Sequence, residues 1–322
     1  MLRRYLLIAL SLGSLTVASQ VSAQTYPDRP VKILQGFAPG GNADAIARAM
    51  GQEMTKGLGQ PMVVEAQAGA GGTIAATTVS KAKPDGYTLL LATGGHAVAG
   101  ALYNNLAYRT VQDFEMVSTI TYFPFLVVVP ANSKFANLSA LLATAKANPD
   151  QISYGTAGIG STHHLAGELL ASMSKTQLLH VPYRGDSGSL AALLAGDIPM
   201  IIAPPTAVMA NIKAGKLKAL ATTGPQRWSV LPDVPTVTEQ GVTGYDVRSW
   251  AGLMAPAGTP KPIIDQLNAE VQKALLVPAV KTRLEEMGGE VRGSTPDEMK
   301  NLVASQTQKW TQVVNEAKIP KQ

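Results

Sequence analysis

Residues 31–54 read Val31-Lys32-Ile33-Leu34-Gln35-Gly36-Phe37-Ala38-Pro39-Gly40-Gly41-Asn42-Ala43-Asp44-Ala45-Ile46-Ala47-Arg48-Ala49-Met50-Gly51-Gln52-Glu53-Met54. The stretch from Val31 to Leu34 has the composition of a strand. Gly36 to Gly41 is a glycine- and proline-rich turn, and Ile46, Ala49, Met50 and Met54 then share one face at helical spacing. The same grammar follows twice more. Met62-Val63-Val64 leads into Gly69-Ala70-Gly71-Gly72 and a helical stretch, and Tyr87-Thr88-Leu89-Leu90-Leu91 ends at Thr93-Gly94-Gly95-His96. Three successive strand–glycine–helix units predict an α/β fold with a parallel, doubly wound sheet.

A second α/β unit starts at Phe125-Leu126-Val127-Val128-Val129, followed by a helix near Leu138 to Ala147. Ile152-Ser153-Tyr154 then precedes the loop Gly155 to Ser161 and a helix from Thr162. Leu178 to Val181 precedes Tyr183-Arg184-Gly185-Asp186 and a helix around Leu190 to Leu194, and Met200-Ile201-Ile202 and Leu217 to Leu220 complete the set. Val247 to Leu253 reads as a connecting strand, punctuated by Ala255-Pro256-Ala257-Gly258-Thr259-Pro260. Two long amphipathic helices close the chain, one bearing Ile264, Leu267, Val271 and Leu275, the other Met299, Val303, Gln306, Trp310 and Val314. They are expected to return to the first unit. The predicted organisation is therefore one lobe from 24–124 plus 249–322, another from 125–248, and crossings near 124 and 249. Trp310 and Tyr154 are read as packing residues.

The beginning of the chain has a different character. Arg3 and Arg4 precede a nearly unbroken apolar run from Tyr5 to Leu12, and the segment closes on Val21-Ser22-Ala23. This is the pattern of a signal peptide over 1–23 cleaved before Gln24, and it predicts export. The apolar run is too short to cross about 30 Å of hydrocarbon unaided. With no cysteine in the chain, a lipid anchor at the cleavage point has no attachment atom.

At 322 residues, 46% hydrophobic and 15% charged, the chain has ordinary globular composition. Loss of Arg3 and Arg4 lowers the formal charge from +5 to +3. Because no Lys/Arg stripe with interleaved aromatics accompanies it, nucleic-acid binding is not expected. Zero cysteines excludes disulfides, thiol catalysis and Cys-ligated metals.

In such sheets ligands lie beyond the carboxyl ends of the strands, where the free N–H groups of a helix's first turn favour an anion. Gly40 and Gly41 allow close backbone approach, and Gly158, Gly160, Ser161 and Thr162 form a matching turn in the second unit. Taken singly, each is a tight βα turn with a cap. Together they predict a carboxylate clamp. Asp44, in a helix's first turn, reads as satisfying the dipole or backbone amides. His96 reads as a structural histidine that has an N–H to offer a ligand. Phe37 and Trp250 are candidates for lining the cleft. His163 and His164 read as capping and packing; the i,i+4 pair of His164 and Glu168 lacks a third ligand and an HExxH frame, so no metal is expected. Gly185-Asp186-Ser187-Gly188 matches the nucleophile string of all-β serine proteases but sits in an α/β pattern, which leaves Asp186 as a cleft candidate. Neither Gly69–Gly72 nor Gly155–Gly160 reproduces GxGxxG with a ribose-binding acid, so no dinucleotide cofactor is expected.

These motifs resemble the Bug-type substrate-binding receptors of tripartite tricarboxylate transporters over essentially the whole mature chain. The resemblance is carried by Tyr26-Pro27-Asp28-Arg29-Pro30, by Gly36 to Gly41 with Asp44 and Ala47-Arg48, by Gly69 to Gly72, and by Lys83-Pro84-Asp85-Gly86-Tyr87-Thr88-Leu89. It continues in Tyr154 to Gly158, His164 to Leu169, His180-Val181-Pro182-Tyr183-Arg184-Gly185, Leu231 to Thr236, and Ala255 to Pro260. It implies a type II periplasmic-binding-protein fold, a ligand carboxylate held at Phe37, Ala38, Pro39, Gly40, Gly41 and Asn42 and at Gly158 to Thr162, Ser161 included, and specificity set at Thr93, His96, Asp186 and Ala203. It further implies a monomeric periplasmic receptor, not an enzyme, that hands a small carboxylate to membrane transporter subunits. Many relatives carry Asp-Asn where this chain has Ala203-Pro204. That departure points away from an amino acid and toward a di-, tri- or aromatic carboxylate, although Asp186 could restore an acid. The alternatives are an amino-acid or nicotinate-type ligand, a receptor coupled to signalling, and a hydrolase using Ser161 or Ser187, which has no GxSxG elbow to support it.

Overall fold

A computed structural model describes residues 26–322; the expected signal segment, 1–23, lies outside the described residues. β1 (Val31–Gln35) pairs in parallel with β2 (Met62–Ala66) on one side and β3 (Thr88–Thr93) on the other, with Ile33 opposite both Val64 and Leu89. α1 (Asn42–Leu58), α2 (Thr73–Ser80) and α3 (Gly95–Leu102) each follow one of these strands. Helices cover both faces of the sheet, so its strands are apolar on both. Val31 and Ile33 enter one buried cluster and Leu34 enters another.

The complete first sheet has six strands in the order β11-β4-β10-β3-β1-β2, adding β4 (Phe114–Pro124), β10 (Arg248–Pro256) and β11 (Glu290–Val291). The second has five, β7-β6-β8-β5-β9, formed by β5 (Leu126–Pro130), β6 (Ser153–Thr156), β7 (Leu179–Pro182), β8 (Met200–Ala203) and β9 (Leu217–Thr222). Its helices are α4 (Leu138–Ala147), α5 (Thr162–Ser174), α6 (Asp186–Ala195) and α7 (Pro205–Lys213). α8 (Lys261–Leu276), α9 (Pro278–Glu286) and α10 (Pro296–Glu316) pack back on the first sheet and its helices. No described helix is long and apolar enough to cross a membrane.

The sheets are mixed, where the repeated units predicted parallel ones. β10 is antiparallel to β3 and β4, and β5 to β8 and β9. Both are the first strands laid down after the chain changes sheets, so each enters from the opposite end. β4, which carries no strand pattern of its own, buries Ser118, Thr119 and Thr121. Its hydroxyls serve the backbone of 290–294, which replaces apolar alternation with polar pairing. The closing helices number three instead of two, because Pro278 forces Val277 into extended backbone (φ −72°, ψ 120°) and splits the run.

Candidate functional site

α1 begins at Asn42, and its first intrahelical bond runs from Ala45 N to Gly41 O at 3.0 Å. The N–H groups of Asn42, Ala43 and Asp44 therefore have no intrahelical acceptor. The preceding turn uses its own amides internally. Phe37 N–H donates to Gln35 Oε1 at 2.8 Å and Gly40 N–H to Asp44 Oδ2 at 3.1 Å, and Arg48 Nε reaches the same oxygen at 2.9 Å. Burial alone would raise the Asp44 carboxyl, but the guanidinium and the Gly40 amide outweigh it and hold the group below its ordinary range.

In the second sheet, Ser161 caps α5: its hydroxyl donates to Gly158 O at 2.6 Å and accepts from His164 N–H at 3.3 Å. α6 opens on Asp186 after Gly185, and α7 opens on Pro205 after Pro204. Four helix N-termini, from both sheets, meet at one cavity of about 330 Å³, its open mouth included. It is lined by Asn42 and Ala43 of α1, Thr162 and His163 of α5, Asp186 of α6 and Pro204 before α7. Phe37, Thr93 and Ser249 add to the wall, with Phe123 and Phe125 flanking the passage between the sheets.

The two halves touch around it. Thr206 Oγ1 donates to Asn42 Oδ1 at 2.8 Å, and the hydroxyls of Thr162 and Ser249 lie 3.4 Å apart. Ser249 Oγ also accepts from Gly94 N–H at 3.2 Å. Gly71 lies against the backbone of Ile159 and Gly160, and Gly185 against Ala38. This is a closed arrangement.

Of the residues singled out from sequence, Phe37, Asn42, Thr93, Thr162 and Asp186 line the cavity together. Pro39 and Gly40 are exposed at the rim. Ala38 and Gly41 meet the α6 start from across the cleft, and Asp44, Gly158 and Ser161 hold the turns from behind. His96 is buried within the first lobe, stacked on Tyr108 and edge-on to Phe114, with Nε2 2.9 Å from Thr110 O. Burial lowers its pKa to about 4. Ala203 is fully buried in the second lobe's core, and Trp250 sits in the first lobe's core rather than in the cleft. The sequence reading does not single out Ala43, Phe123, Phe125, Pro204 or Ser249 for the cavity, and His163, which reads as capping and packing, lines it as well. The sequence carried one usable signal for Phe123 and Phe125, their place beside the expected crossing.

Behind α5, His164 stacks on His180 with ring centroids 4.2 Å apart. Burial, and then the neighbouring imidazoles, lower their pKa values to about 4 and about 3. Among the described residues no group of three or more His, Asp or Glu side chains is placed to hold a metal ion.

Comparison with known proteins gives the arrangement a family. A family model described as "Tripartite tricarboxylate transporter family receptor" matches residues 46–319. The periplasmic binding protein BugD shares 36% identity at a TM-score of 0.89, covering 92% of this chain and 100% of its own. MatC from Rhodopseudomonas palustris, solved with bound malate, shares 37% identity at 0.86, covering 90% and 100%. An R. palustris protein solved with adipate shares 32% identity at 0.88, covering 92% and 100%. These likenesses span both sheets and the cavity between them, and the chain belongs to the tripartite tricarboxylate transporter receptor family, as a Bug-type solute-binding receptor with a periplasmic-binding-protein fold.

Proposed function

We propose that this protein captures a small carboxylate of the di-, tri- or aromatic kind between its two lobes and delivers it, chemically unchanged, to tripartite tricarboxylate transporter subunits in the membrane. The observation that carries the reading is the meeting of four helix N-termini on a cavity that no described Lys or Arg lines. Backbone amides and helix dipoles favour an oxyanion there, and Phe37, Phe123 and Phe125 favour a carbon skeleton. Malate and adipate in the two related structures are consistent with that class. The lobes, 24–124 plus 249–322 and 125–248, swing about the two passages between the sheets, and a ligand that contacts both favours the closed form. Such a protein works as a monomer exported to the periplasm, with the segment 1–23 removed.

Isothermal titration of the purified protein with succinate, malate, adipate, citrate and benzoate tests this, with small-angle scattering on each mixture. The expected result is micromolar or tighter binding of at least one acid and a smaller radius of gyration. Binding of none, together with turnover of ester or amide substrates, would overturn it.

A further inference from the structure

Among the described residues, Asp186 is the only carboxylate on the cavity wall, and no Lys or Arg lines it there. The residue is 6% exposed, and its Oδ1 receives no hydrogen bond. His163 Nε2 lies 3.3 Å from that oxygen, an ion-pair distance only if Nε2 carries a proton. The same nitrogen accepts the N–H of buried Ala157 at 2.8 Å, so it presents a lone pair. The alternative assignment would leave the Ala157 amide buried without an acceptor, which is the costlier arrangement. Asp186 thus keeps an open acceptor on the same cavity wall as the free amides at the start of α1. It also lies close to them: a methyl group placed on Gly41 would stand 3.5 Å from Asp186 Oδ2, directly before the α1 amides.

We infer that Asp186 reads a hydrogen-bond donor, a hydroxyl or an ammonium, on the carbon beside the ligand's carboxylate. The inference rests on the carboxylate-receptor reading and narrows it. A carboxylate resting on the Asn42 and Ala43 amides brings its α-substituent to the Asp186 side. Without a donor between them, two carboxylates would share one buried space and repel. With one, the orphan oxygen is satisfied by a charge-assisted bond. After β8 the chain has Ala203-Pro204-Pro205, which carries no acid and, at Pro204, no amide donor. Asp186 supplies an acid from α6 instead.

The test titrates the purified protein with two matched series, succinate, malate and aspartate, then propionate, lactate and alanine, whose members differ only at the α-carbon. The wild-type protein is expected to bind the donor-bearing acids about tenfold or more tightly than their unsubstituted partners. Asp186→Leu is expected to erase the ranking. Asp186→Asn, which keeps the shape and an acceptor, is expected to erase it for aspartate and alanine and to retain it in part for malate and lactate. That separates an ammonium from a hydroxyl ligand and serves if the leucine variant does not fold. Equal binding within both series, or a ranking unchanged in the variants, overturns the inference and leaves the receptor reading standing. Binding of none of the six while adipate, citrate or benzoate binds overturns the inference alone; binding of none of these acids overturns both.

Discussion

Asp44 shows how one side chain does two jobs in a glycine turn. It occupies the first turn of α1, as an acid complementing the dipole should, and it also accepts the Gly40 N–H and faces Arg48. The amide bond is local and shielded, whereas Arg48 is half exposed and its pair is screened. Asp44→Ala is therefore expected to cost about 1–2 kcal/mol in denaturant unfolding and to weaken ligand binding by loosening the turn. Arg48→Ala is expected to cost less than about 1 kcal/mol. Equal losses in the two variants would show that the ion pair, not the turn, is what matters. His96 makes the complementary point. Its position after a strand end reads as that of a structural histidine with an N–H to offer a ligand, and aromatic packing with Tyr108 and Phe114 draws the ring into the core.

At the scale of elements, closure depends on two glycine-rich segments approaching within van der Waals contact. Gly71 (φ 63°) would bring a β-carbon to 2.6 Å from Ile159 O and 2.7 Å from Gly160 C across the cleft. Gly59 (φ 69°), which ends α1, has open space at the same place. Gly59→Ala and Gly71→Ala both place alanine in left-handed backbone, at about 1 kcal/mol of folding stability each. Only Gly71→Ala also props the lobes apart. It is expected to weaken ligand binding about tenfold or more and to keep the scattering radius large in the presence of ligand, while Gly59→Ala binds normally. Indistinguishable affinities would mean that the closed contact contributes nothing to capture.

For the molecule as a whole, the buried His96 and His164 and the half-buried His180 set an acid limit. His96, His164 and His180 have pKa values lowered to about 4, about 4 and about 3, chiefly by burial. The unfolded chain, titrating near 6.5, takes up these protons first. Stability is then full above about pH 6.5 and falls as the pH drops toward about 4, because the unfolded state binds more protons there. Melting curves between pH 7.5 and 4 should show this decline, and His180→Gln should make it shallower. A melting temperature flat down to pH 4.5 would contradict the assignment.

The strand–turn–helix units, the helix over Leu138 to Ala147, the capping hydroxyl of Ser161 and the receptor family were legible from the residues in order, because periodicity, caps and turn chemistry act within a few positions. β4 escaped, since its buried hydroxyls are paired by a segment far along the chain. Which amides face the cavity, why Asp186 meets Gly41, and how Phe123, Phe125, Pro204 and Ser249 complete the wall were settled only by the approach of two sheets built from distant stretches. A lining is a property of juxtaposed surfaces, and the packing that brings those surfaces together is long-range; no window of sequence contains it.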